Sequence, residues 1–310
     1  MKKARLRIPA STSNIGPGFD TLGLALNLYN YLEMEEIDEG VIVHCEGEGA
    51  ERLGEITPEE SLPYRAAKEV FQSVGHSPHG LKISFINNIP LGRGLGSSGA
   101  VCVGSIAAAF LLAGLELNPH LILELALRLE RHPDNITPSL VGGFTVSCIS
   151  QGKVFFVKIS VAFPLKIVAI IPELELPTQE SRRVLATHIP FEDAQFNLNR
   201  TALLVAGFAT GNSRVLMEGV KDKLHQPHRA ELLPGLYEVF DEGYLMGALG
   251  CFLSGAGSSI IALTQNNARQ VGHRMSTLWQ KKFGIPNRWQ VFQVDNEGLV
   301  QVKTIESERS

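Results

Sequence analysis

Residues 90–100 read Pro90-Leu91-Gly92-Arg93-Gly94-Leu95-Gly96-Ser97-Ser98-Gly99-Ala100. Four glycines, at 92, 94, 96 and 99, crowd this short stretch. Such density lets a backbone take positive φ and approach a bulky anion closely. A mostly apolar, uncharged run from Val101 to Leu115 follows and predicts a buried helix over about 98–114. The unpaired N–H groups and positive dipole end of that helix point back at the loop, which suits a phosphate. Ser97 and Ser98 stand where a hydroxyl can cap the helix, hold a phosphate oxygen or ligate Mg²⁺. The plain alternative is a glycine turn with serine caps that merely starts a buried helix.

Two better-known phosphate loops fit poorly. Gly94-x-Gly96-x-x-Gly99 satisfies the dinucleotide fingerprint, but Asn87 to Leu91 intervene after the preceding strand. The acid at the right distance, Glu116, precedes another helix instead of ending a strand. A Walker A loop needs Gly-Lys-Ser/Thr, which is missing. The uncharged stretch between Arg93 and Glu116 is long enough to cross a bilayer, yet only its later part is helix-like. About 15 helical residues reach about 22 Å, short of a hydrocarbon core of about 30 Å, so a buried helix is expected.

Outward from the loop, strands alternate with helices. A strand over 3–9 leads into a Gly/Ser/Pro-rich loop at 11–23, and strand-like runs at 26–37 and 41–45 follow. Apolar spacing predicts a helix over 64–74 stopped by Gly75, a strand over 81–86, and an amphipathic helix from Pro119 to near Arg131. Three strands follow at 141–150, 153–160 and 165–172. Helices near 200–219, 234–247 and 267–283 enclose a strand over 250–263, and a strand at 289–295 comes last. Several strands adjoin without a crossover helix, which argues for two α+β domains rather than one doubly wound sheet. The expected division is 1–160 and 161–310.

The 310 residues are 44% hydrophobic and 19% charged, which is globular composition. A net charge of −4 leaves no basic footprint for nucleic acid or an anionic membrane. Cys45, Cys102, Cys148 and Cys251 lie far apart without metal-ligand spacing and read as buried thiols of a reducing compartment. The opening MKKARLRIPAS has no apolar run behind its basic residues, so a cytoplasmic protein is expected. Phe155-Phe156, Trp279 and Trp289 read as core or interface packing, and most histidines as incidental.

Pro90, Gly94, Leu95, Gly96, Ser97 and Ser98 match the form Pro-x-x-x-Gly-Leu-Gly-Ser-Ser, and here the sequence resembles the GHMP small-molecule kinases. Pro9 to Leu26 is similar to their first motif and Ser254-Gly-Ala-Gly-Ser-Ser259 to their third. The resemblance spans roughly 5–297. It implies a domain like the second domain of ribosomal protein S5, then a ferredoxin-like domain, with ATP bound between them. Finer marks are Asn14, Gly18-Phe19-Asp20, Glu130-Arg-His-Pro-Asp-Asn135, Thr178 to Leu185 and Leu224-His-Gln-Pro-His-Arg229. These resemble the branch that phosphorylates L-homoserine in threonine biosynthesis. Departures from that pattern are Ser61 for an adenine-contacting Asn, Arg131 for Gly, Pro177 for Ser, His228 for Tyr and Ser258 for Pro.

The resemblance implies ATP on residues 90–100, with Mg²⁺ ligated by Ser98 and Glu130. Phosphoryl transfer then needs in-line positioning and charge neutralisation more than covalent help. L-Homoserine is a zwitterion with one hydroxyl, and arginine forks suit its carboxylate. The resemblance puts Arg182 and Arg229 there, with Asn14, Asp20, His132 and Asn135 completing the pocket. Asp20 is expected to position the substrate, with a role as its base as the alternative, Thr178 to orient the γ-phosphate or its water shell, and the proton to leave late, to the γ-phosphate itself. A homodimer is the expected assembly. A kinase of another alcohol, or a silent sensor on the same fold, is the rival reading.

Overall fold

The computed structural model describes residues 3–161 and 163–304, so Met1, Lys2, Ala162 and 305–310 lie outside the described residues. The chain opens with β1 (Lys3–Ser13), β2 (Leu22–Ile37) and β3 (Gly40–Gly47), then α1 (Ala50–Gly54), α2 (Leu62–Val74) and β4 (Gly80–Asn87). The loop described above leads into α3 (Ser97–Leu112), α4 (Pro119–Glu130) and α5 (Pro133–Val141). Next come β5 (Phe144–Ser150), β6 (Lys153–Ile159), β7 (Lys166–Pro172), α6 (Thr178–Arg183), α7 (Phe191–Thr210), α8 (Leu216–Gly219) and α9 (Gln226–Arg229). The remainder is α10 (Leu236–Leu245), β8 (Gly250–Leu253), β9 (Ile260–Thr264), α11 (Ala268–Phe283), β10 (Asn287–Gln293) and β11 (Val300–Gln301).

Two sheets result. The first runs β11-β1-β2-β4-β3, with β5 and β6 attached through β2, and only β3–β4 is parallel. The second is antiparallel, β10-β7-β9-β8. A register shift at Pro9/Ala10 bends β1 where the first sheet meets the loop region. The boundary expected at 160/161 falls in the connection between β6 and β7. Strand β11, the last among the described residues, nevertheless returns to β1, so the first sheet joins strands far apart in the sequence.

Helix α3 is apolar on almost every side because it is enclosed, by β1 and β2 below and α2, α4 and α5 around. Ile106, Val103 and Ala107 are fully buried, each such Ile or Val contributing about 1.5–3 kcal/mol. No helix among the described residues is long and apolar enough to cross a membrane. Helix α2 shows why its sequence was readable: Ser61 caps it, Pro63 starts it, and Gly75 at φ 67° ends it.

Several expectations need correction. The helix read near 200–219 begins at Phe191 and stops at Gly211, where φ is 70°. The strand read over 250–263 is a hairpin, β8 and β9, whose turn is Ser254–Ser259. Helix α4 does end where expected, at Arg131, whose φ of 66° is why glycine suits that place. Pro133 supplies the first position of α5. Of the thiols, Cys102 and Cys251 are buried but Cys148 is exposed. Phe155 is exposed as well, while Trp279 is buried and donates to the Pro234 carbonyl at 2.8 Å.

Candidate active site

Where the two sheets meet, a cavity of ≈620 Å³ opens, walled by the first loop, residues 90–99, the ends of α4 and α5, α6, Arg229 and the β8–β9 turn. Its distant end is apolar, with Val43, Ile56, Leu62 and Phe85. Its near end is polar. Gly94, at φ 73°, lets the loop pass so close to the turn that a Cβ would sit 2.0 Å from the Ser254 carbonyl oxygen. Ser254 answers by donating to the Gly94 carbonyl at 2.6 Å. Helix α3 starts at Gly96 with no side-chain cap, which leaves its first N–H groups for a ligand.

Both serines line the cavity but hold different partners. Ser97 is buried and donates to Asn87 Oδ1 at 3.2 Å. Ser98 lines the cavity and donates to Glu130, which ends α4 opposite it. Burial raises the pKa of Glu130, and the Ser98 bond opposes that rise only in part. A hydroxyl and an incompletely compensated carboxylate are hard oxygen donors, so the pair fits Mg²⁺. No cluster of three His, Cys, Asp or Glu with metal-holding geometry occurs among the described residues.

The other expected residues converge on the polar end, with three exceptions. Asn14, His132, Asn135, Thr178, Arg182 and Arg229 all line the cavity, as do Pro90, Leu91, Gly92, Leu95 and Gly99. Ala100 points into the core. Arg93 donates instead to the carbonyls of Leu91, Pro172 and Glu173, at 2.7, 2.9 and 2.6 Å. It therefore straps the loop to the chain after β7. Asp20 stands behind the wall, holding Arg182 Nη2 at 2.6 Å and His132 Nδ1 at 3.4 Å. Asn14 accepts from the Asp20 N–H at 3.0 Å and donates to the Gly255 carbonyl at 2.8 Å, so it shapes the loop. Asn135 is likewise engaged, accepting from Ser11 at 3.0 Å and donating to Ser13 at 2.9 Å.

The two arginines flank Phe19, their guanidinium carbons 5.2 Å (Arg182) and 5.5 Å (Arg229) from its ring centroid. Arg229 is 1% exposed, and burial, together with the charge of Arg182, lowers its pKa to about 10. Its Nη2 has no hydrogen-bond partner among the described residues, and Arg182 Nε is buried with none. Two cations on one cavity wall, Arg182 held by Asp20 and Arg229 with its Nη2 uncommitted, form a site for an anion.

Asp134 is the residue to which the sequence reading, quoting it only within Glu130–Asn135, gave no role. It lines the cavity at 4% exposure, and burial, followed by the negative charge of Asp20, raises its pKa to about 7. Ser13, which accepts from Asn135, has its proton left for Asp134. The only signal in the sequence was its place between Pro133 and Asn135.

Family comparisons agree with this geometry. The GHMP kinases N terminal domain matches residues 61–143, and the GHMP kinases C terminal region matches 204–281. The chain belongs to the GHMP kinases, small-molecule kinases with this two-domain α+β fold. It is 42% identical over 262 residues to a homoserine kinase of Caldicellulosiruptor bescii, covering 84% of each chain. With a homoserine kinase of Clostridium beijerinckii it shares 38% over 301 residues, 96% of this chain and 98% of the other. The crystal structure of a homoserine kinase from Cytophaga hutchinsonii superposes with a TM-score of 0.86 at 27% identity, covering 97% and 98%. Within the GHMP kinases, the chain is a member of the homoserine kinase family.

Proposed function

We propose that the chain transfers the γ-phosphate of ATP to the side-chain hydroxyl of L-homoserine, yielding O-phospho-L-homoserine and ADP. The observation that carries the substrate reading is the pair of arginines that line the cavity together with the phosphate loop, Arg182 and Arg229, the latter with Nη2 uncommitted. A carboxylate there accepts from Arg229 Nη2 and relieves the repulsion between the two guanidinium groups. An uncharged sugar would leave the two cations unbalanced, and mevalonate, although it has a carboxylate, offers no ammonium to the acid side of the pocket.

The triphosphate lies on the 90–99 backbone and the open N-terminus of α3, its base toward the apolar end. Ser98 and Glu130 would hold Mg²⁺, which neutralises phosphate charge when bound. Asp20 holds Arg182 and His132 in place and acts through them. Asp134, with its pKa near neutrality, accepts the proton as the substrate oxygen bonds to phosphorus and the bond to ADP breaks. The expected loss of the proton to the γ-phosphate is the alternative route, which Asp134→Asn tells apart. Thr178, at the start of α6, faces the phosphate end and orients the γ-phosphate. The same reading makes the chain a cytoplasmic homodimer that serves threonine biosynthesis, by resemblance alone.

ADP release from Mg·ATP, measured with homoserine, serine, threonine, mevalonate and galactose separately, tests the substrate. Homoserine should turn over well above the others, and Arg182→Ala and Arg229→Ala should each lower kcat/KM by about 10²-fold or more. Comparable turnover of mevalonate or galactose would overturn the pocket.

A further inference from the structure

Behind Arg229 lies a buried histidine that phosphoryl transfer does not use. His225 is 1% exposed, and both ring nitrogens are engaged. Its Nε2 is 2.7 Å from the Gly16 carbonyl oxygen, and its Nδ1 is 3.0 Å from Arg229 Nη1. These partners fix the proton. A carbonyl only accepts, so Nε2 carries the hydrogen; a guanidinium only donates, so Nδ1 presents its lone pair. The ring is neutral, and burial holds its pKa below the usual imidazole range, helped by Arg229 and opposed by Asp222.

The surroundings hold that state. Asp222 accepts from the N–H groups of Leu224, His225 and Gln226 and from the Asn197 amide, at 2.9, 3.0, 2.7 and 2.6 Å. Its carboxylate lies 3.6 Å from His225 Nε2, and the Phe19 ring sits 5.4 Å from the imidazole. The charged groups around the ring are thus Asp222, Arg229 and, farther off, Asp20.

Arg229 is the beneficiary. Its Nη1 donates to His225 and, at 2.8 Å, to the Gly255 carbonyl, while its Nε donates to the Ser181 carbonyl at 3.3 Å. Three of its five N–H groups are committed to protein, and the remaining two sit on Nη2. We propose that His225 is a positioning residue for substrate recognition: its bare Nδ1 locks Arg229 so that Nη2 faces the substrate carboxylate, while its Nε2–H ties that fork to the loop bearing Asp20. The inference rests on Arg229 as the carboxylate anchor.

Two amides separate the ring's two bonds. His225→Asn places an acceptor near Nδ1 and abandons Gly16; His225→Gln places a donor near Nε2 and abandons Arg229. The KM for homoserine should be about tenfold or more higher in the Gln variant than in the Asn variant, with KM for ATP the same in both within about threefold. In the unaltered protein, ¹⁵N NMR of the ring should show Nε2 protonated and Nδ1 bare throughout about pH 6 to 8. Equal homoserine KM in the two variants, or a ring protonated at Nδ1, overturns the inference. If Arg229→Ala also leaves that KM unchanged, the anchor reading fails; if only the histidine variants are silent, the anchor stands and His225 is merely structural.

Discussion

Asp134 carries opposite consequences for folding and for reaction. Its folded pKa of about 7 lies above the ordinary 3.8. Its contribution to stability is therefore fully present below about pH 4 and is lost as pH rises through 7. Asp134→Asn should remove that loss, gaining relative to the parent about 1.4 kcal/mol per pH unit across the window. Chemical denaturation at several pH values would show it. The same change should lower kcat about 10²-fold or more and abolish the limb of kcat/KM that rises through neutrality. A variant retaining kcat within about threefold, with the limb intact, would return the proton to the phosphate. Single residues were also where the sequence was hardest to read. Arg182 and Arg229 were legible only through resemblance, since nothing local distinguishes them from surface arginines. Asn14, Asp20 and Asn135 were placed in the right region, but which partner each side chain holds depends on contacts more than a hundred residues away, such as Asp20 with Arg182.

Elements were easier to read than residues when their stop signals were local. Helices α2, α3 and α11 lay close to their expected spans, because capping and apolar spacing act within a few residues. The β8–β9 turn was not legible as a turn. Its glycines and serines continue an apolar strand pattern, and its shape is set by Gly94 and Arg229, from other elements. That junction gives an element-scale prediction. Gly94→Ala adds a Cβ at 2.0 Å from the Ser254 carbonyl oxygen, at a φ of 73° that alanine rarely adopts. The loop and turn must part, so KM for ATP should rise about tenfold or more, with stability down by about 1–3 kcal/mol. An unchanged KM for ATP, read by initial rates against Mg·ATP, would mean that the phosphate does not lie on this junction.

At the scale of the molecule, the two α+β sheets were legible, but their closure was not. No periodicity in the last residues announces that they belong beside the first. Leu26 bridges Val294, the Gly143 N–H donates to the Asp295 carbonyl at 2.7 Å, and β11 pairs Leu6 with Gln301. Ending the chain after Gln293 strips all three from the first sheet. Such a protein should expose the edge of β1 and aggregate, with light scattering rising on refolding while the full chain stays clear. Wild-type solubility in the shortened form would show that the edge needs no cover. The same stitch sets a timetable for biosynthesis. At about 5–20 residues per second, a ribosome takes on the order of fifteen seconds or more to travel from β1 to β11. Throughout that interval the nascent amino-terminal sheet has an open flank, which closes only after β11 has been made and has emerged.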